Sequence, residues 1–154
     1  MRSRGQRGMT LVELIVSFSI MLVLTAMAVP LARSKVRAER ESQLRAALDE
    51  VRRAIDQYHD LDVAGYFGQV KEGTDGYPEN LEMLVEGVKK NDANGTKMRF
   101  LRRIPVDPFT GKAEWGLRSD QDDPKSGSWG GQNVFDIYSK SMDKGSDGTP
   151  YSEW

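Results

Sequence analysis

The sequence contains no cysteine and only one histidine, His59. The first absence removes disulfides, thiolate catalysis, Fe–S clusters and Cys-type zinc sites together. The second leaves His59 without the partner residues that a metal or acid–base site requires, so it reads as a structural residue. A basic excess is also lacking, with 22 Lys and Arg against 23 Asp and Glu, whereas nucleic-acid binding usually needs a positive footprint. There is no Walker loop, no Gly-x-Gly-x-x-Gly behind a strand and no His-Glu-x-x-His, and no serine stands in pattern with the histidine. Nine acids fall between residues 104 and 154, but a two-carboxylate catalyst has no pocket to argue from. The chain is expected not to be an enzyme.

What the chain does have is a long apolar run. Residues 9–32 are 24 in number and carry one charge, Glu13. As a helix rising about 1.5 Å per residue they reach roughly 36 Å, enough to cross a hydrocarbon core of about 30 Å. Ahead of them stands MRSRGQRG, whose Arg2, Arg4 and Arg7 stay cytoplasmic by the positive-inside rule, which places the rest of the chain outside. The charge is uneven beyond this point too: residues 1–40 hold seven basic side chains against two acids, and residues 104–154 hold five against nine. Ala26-Met27-Ala28 offers a small-x-small site for an ordinary signal peptidase. Glu13 decides against that reading, because an acid inside a hydrophobic span costs about 2.5–3.5 kcal/mol and a disposable signal gains nothing from it. At 154 residues the chain has length for one domain, with a core smaller than the total suggests.

Gly8-Met9-Thr10-Leu11-Val12-Glu13-Leu14 resembles the class III signal of type IV pilins and their pseudopilin relatives, with Met9 where phenylalanine is commoner. The resemblance implies cleavage after Gly8 by a prepilin peptidase, N-methylation of Met9, and use of Glu13 in filament assembly. It divides the chain into a basic leader (1–8), a transmembrane and filament-core helix (9–32) and a periplasmic pilin-like domain (33–154). The spacing has a physical logic: cleavage creates an amino group four residues from a carboxylate, and in hydrocarbon each needs an opposite charge nearby.

Pro30 lacks the N–H that would bond the carbonyl of Ala26, so a kink or local melting is expected there. Beyond it, Leu44, Ala47, Leu48, Val51, Ile55 and Tyr58 recur at spacings of three and four, predicting an amphipathic helix with one buried stripe. Glu39, Arg40, Glu41, Asp49, Glu50, Arg52 and Arg53 are assigned to the solvated face. A second, short helix is expected between Gly76 and Gly87, with Pro78 in its first turn and Leu81, Leu84 and Val85 on its apolar face. The stretch 89–97 reads as polar with a turn at Asn94-Gly95. Short strands are expected over 113–117 and 134–139, separated by a Gly- and Asp-rich loop over 119–132. The fold class is α+β, a long N-terminal helix packed on a small antiparallel sheet.

The second half is similar to the major-pseudopilin (protein G) family of type II secretion. Tyr77-Pro78, Ile104-Pro105-Val106-Asp107-Pro108-Phe109, and Phe135-Asp136-Ile137-Tyr138-Ser139 followed by Asp143 and Asp147-Gly148 stand in that family's order. Relatives bind calcium in the corresponding C-terminal loop, so the resemblance implies a calcium site drawn from Asp143, Asp147, Glu153 and Ser139. The adjacent acidic pair common in that loop is missing here, and Asp120, Asp122 and Asp123 form an alternative cluster. An EF-hand is excluded by spacing. The implied partners are copies of the chain itself, minor pseudopilins, a peptidase/methyltransferase, an assembly platform protein with its ATPase, an outer-membrane secretin and the inner membrane, with no nucleic acid. An adhesive, motility or DNA-uptake pilin is the alternative; such pilins usually carry a C-terminal disulfide, which this chain cannot form. With only Phe18 and Tyr58 as aromatics on the long helix, an electron-conducting fibre ranks low.

Overall fold

The computed structural model describes residues 10–124 and 126–154, the side chains of 27–32 excepted. The chain divides into two units, residues 1–39 and residues 40–154. One helix, α1 (Leu11–Val63), contributes to both. It begins where Thr10 Oγ1 accepts the Glu13 N–H at 3.3 Å and the Thr10 carbonyl accepts the Leu14 N–H at 3.2 Å. Thr10 and Glu13 are spaced as a capping box. Helix α1 runs through position 30, and the kink expected at Pro30 falls on a residue whose side chain is outside the described ones.

From residue 44 onward the predicted stripe is the core. Leu44, Ala47, Leu48, Val51, Ile55 and Tyr58 are all buried, joined by Ala54. Around them pack Leu81, Leu84, Leu101, Trp115, Val134, Ile137 and Tyr151, each large apolar side chain contributing about 1.5–3 kcal/mol by leaving water. The stripe does not stop at its apolar members. Glu41 is 7% and Asp62 6% exposed, because they continue the same three–four spacing at either end. Glu41 is therefore corrected from the solvated face to the buried one.

The short helix α2 (Glu82–Glu86) starts later than expected. Pro78 lies buried in the preceding loop instead of in the first helical turn, and the Asn80 side chain supplies the cap, accepting the Met83 N–H at 3.0 Å. Gly87 ends α2 with φ 84°, donating to the Met83 carbonyl at 3.0 Å. A Cβ at this glycine would also meet the Met98 carbonyl oxygen at 2.8 Å. The polar stretch that follows is a small hairpin, β1 (Val88–Lys89) antiparallel to β2 (Lys97–Met98), in register Val88 to Met98. Asp92 ties its turn by accepting the Thr96 N–H at 3.1 Å and hydroxyl at 2.6 Å; these bonds hold its carboxyl below its ordinary value.

The second pair, β3 (Gly116–Arg118) and β4 (Asp136–Tyr138), is antiparallel in register Gly116 to Tyr138. Gly116 has no room for a side chain, because a Cβ there would run into the Tyr138 ring. The strands are shorter than the spans expected from sequence and form two separate two-stranded sheets. The architecture is α+β and pilin-like.

Near the end of α1, burial raises the Asp62 carboxyl above its ordinary value of 3.8, with His59 opposing. Burial, helped by Asp62 and Glu79, pushes the Tyr58 hydroxyl up to about 12. A carboxyl raised on folding favours the folded state while protonated, and that contribution disappears as pH rises through the folded value. Asp62→Asn is therefore expected to melt above the wild type at pH 7, with the gap closing as pH falls toward 3.8. Melting curves at the two pH values check this.

Candidate assembly surface and C-terminal loop

Gly8 and Met9 of the expected cleavage site lie outside the described residues. Glu13 is described: it stands exposed in the first turn of α1, where the helix dipole favours a carboxylate. Around it the apolar side chains find no cover among the described residues. The large apolar residues from Leu11 to Leu24 are between 51% and 78% exposed, far more apolar surface in one stretch than a soluble monomer tolerates. The few hydroxyls in this stretch make no demand on water, because Ser17, Ser19 and Thr25 donate to the carbonyls of Glu13, Ile15 and Met21 at 2.7–2.8 Å. Among the described residues no helix is long and apolar enough to cross a membrane. The described side chains of the run extend from Leu11 to Ala26, about 24 Å of helix, short of a hydrocarbon core of about 30 Å.

The four residues named for calcium are placed as follows. The Ser139 hydroxyl is fully buried and donates to Asp107 Oδ2 at 2.6 Å, while its oxygen accepts the Ser141 N–H at 3.1 Å. Asp143 accepts the Tyr151 N–H through its backbone carbonyl at 3.1 Å. The Asp147 carboxylate turns onto its own loop, taking the Thr149 N–H at 2.9 Å. Glu153 lies in a 3-10 turn (Tyr151–Glu153) and shares a surface pocket with Asp147, but Arg45 and Arg52 line the same pocket. Among the described residues, no group of three or more His, Cys, Asp or Glu side chains is gathered in a way that holds a metal ion.

Two charged residues of α1, both read from sequence as solvated, hold this end of the chain. Glu41 Oε1 accepts the Ser146 N–H at 2.9 Å and the Tyr151 hydroxyl at 3.0 Å, and Oε2 accepts the Ser146 hydroxyl at 2.7 Å. Arg52 donates to Asp136 Oδ1 at 2.7 Å and to the carbonyls of Ile137 and Trp154 at 3.3 and 2.8 Å. Arg45 stacks over the Trp154 ring at 4.3 Å. The available signal was position: Glu41 stands three residues before Leu44 on the stripe.

Asp120 and Asp122 of the 119–132 loop are used locally. Asp122 Oδ2 accepts the N–H groups of Ser119 and Gly130 at 2.9 and 3.1 Å, and Asp120 Oδ1 accepts from the Asn133 amide at 2.8 Å. Asn133 is fully buried and also donates to the Thr74 carbonyl at 3.0 Å, anchoring the loop. His59 stacks on the Tyr77 ring at 4.2 Å, a packing role.

No curated protein and no solved structure matches the chain. Residues 3–29 match the family described as the prokaryotic N-terminal methylation motif, a stretch that contains Gly8, Met9 and Glu13. Residues 3–29 therefore carry the prokaryotic N-terminal methylation motif, a class III signal of the kind found in type IV pilin-like proteins.

Proposed function

We propose that the chain is the structural subunit of a type II secretion pseudopilus. The observation that carries this reading is a methylation motif at residues 3–29 running into a helix whose apolar side chains are exposed from Leu11 to Leu24. Such a surface is stable only in lipid or against copies of itself. Before assembly, residues 9–32 anchor the chain in the inner membrane as a single span, with the N-terminus cytoplasmic and residues 33–154 periplasmic. After cleavage and N-methylation, a platform protein and its ATPase lift subunits from the membrane. The helices pack into a fibre tipped by minor pseudopilins, which pushes substrates through an outer-membrane secretin. The role is mechanical and not enzymatic. The order of Tyr77-Pro78, Asp107 and Asp136 through Ser139 supports a pseudopilus over an adhesive or motility pilin, as does the lack of cysteine for a C-terminal disulfide.

Mass spectrometry of the mature chain tests the first step. The expected N-terminus is N-methylated Met9, and Gly8→Val is expected to accumulate unprocessed in the inner membrane, because the peptidase must accommodate backbone on both sides of the cut. A mature chain beginning at Val29 would overturn the reading in favour of an ordinary secreted protein. Deletion of the gene separates the two fibre readings: loss of secretion supports the pseudopilus, and loss of long surface fibres with secretion intact supports the pilin.

A further inference from the structure

We infer that the C-terminal loop is locked to α1 by the Glu41 carboxylate and needs no divalent cation, an inference independent of the filament reading. Calcium asks for six to eight oxygens at about 2.3–2.6 Å. Two of the residues named for it are engaged within the fold: the Ser139 hydroxyl donates to Asp107, and Asp147 Oδ1 takes the Thr149 N–H. Asp147 and Glu153 share their pocket with two guanidinium groups, Arg45 and Arg52, which supply the positive charge there and repel another cation.

Glu41 instead performs the task of such an ion in reverse, as a buried anion that gathers donors. Its three bonds reach Ser146 and Tyr151, one on each side of the Asp147-Gly148 turn. Between them the backbone closes on itself. Gly145 N–H donates to Thr149 at 2.7 Å, Gly148 N–H to Gly145 at 3.0 Å and Tyr151 N–H to Asp143 at 3.1 Å, beside a bridge pairing Lys144 with Pro150. Tyr151, fully buried, stacks on Phe109 at 4.0 Å. A loop held in this way gains no missing partner from a cation.

The test uses the full chain purified in detergent micelles. The melting temperature is expected to be the same in EGTA and in excess calcium chloride, and terbium is expected to give no luminescence sensitised by Trp154. Glu41→Ala is expected to lower the melting temperature by roughly 5–10 °C, in either medium and by the same amount. If that variant does not fold, Tyr151→Phe, which removes one hydroxyl in place, is expected to speed amide exchange at Ser146 without altering the response to EGTA. A fall in the wild-type melting temperature on EGTA, a rise on calcium, or saturable terbium luminescence overturns the inference.

Discussion

Glu13→Ala is expected to enter the membrane as well as the wild type, or more favourably by about 2.5 kcal/mol, and to form no fibres. Once cleavage frees the amino group of Met9, each subunit carries an amine and a carboxylate four residues apart within an apolar helix. Removing one partner of a buried ion pair leaves the other uncompensated at a cost of about 3–5 kcal/mol, or roughly a hundred- to several-thousand-fold in subunit affinity. Glu13 also stands at the capping-box position behind Thr10, whose Oγ1 accepts the Glu13 N–H, and that local role has to be separated from pairing. Thr10→Ala removes the cap, typically worth about 0.5–2 kcal/mol, and keeps the charge, so it is expected to retain fibres. Sheared-fibre yield and secretion assays on both variants report the result. Wild-type fibre yield from Glu13→Ala would sink the pairing argument.

Asp107→Ala is expected to destabilise the folded chain by about 3–5 kcal/mol, since each buried group left without its partner costs about 1–3 kcal/mol. The Asp107 side chain is wholly buried, and its oxygens take the Phe109 N–H at 2.8 Å, the Thr110 N–H at 3.4 Å and the Ser139 hydroxyl at 2.6 Å. Its backbone closes the same turn, donating to the Lys112 carbonyl at 2.9 Å and accepting the Gly111 N–H at 2.8 Å. Ser139→Ala is expected to cost less, about 1–2 kcal/mol, because the turn keeps its two backbone donors satisfied. Urea unfolding of the two variants beside the wild type measures both. A loss below about 1 kcal/mol for Asp107→Ala would show that water replaces the carboxylate at that site.

Asp107 also illustrates what could be read from sequence and what could not. The apolar stripe of α1 was legible because hydrophobic periodicity is a local property, and every residue from Leu44 to Tyr58 named from it is buried. The paired segments around Leu117 and Ile137 were legible from their aromatic and β-branched composition. Glu41 and Arg52 were not, because a charge at stripe spacing looks solvated until its partners are known, and those partners lie near the other end of the chain. The same limit applied to the motifs. Asp107, Asp136 and Ser139 stood out by their order in the chain, yet their contacts show polar groups holding the fold: Asp107 with Ser139, Asp136 with Arg52. The hairpin at Val88–Met98 was missed because two-residue strands carry too little pattern to separate from a polar loop.

The contacts of residues 143–154 bear on how the chain folds. Glu41 meets Tyr151 across 110 positions and Arg52 meets the Trp154 carbonyl across 102, so these bonds join the start of the packed unit to residues made much later. A nascent polypeptide cannot form them until that stretch has left the ribosome. The core is thus delayed until then, and pairing this remote in sequence is slow to form. A stop codon at position 151 would delete Tyr151 from the core and the Trp154 carbonyl from Arg52, so these few contacts decide whether the product is stable or becomes a substrate for proteases.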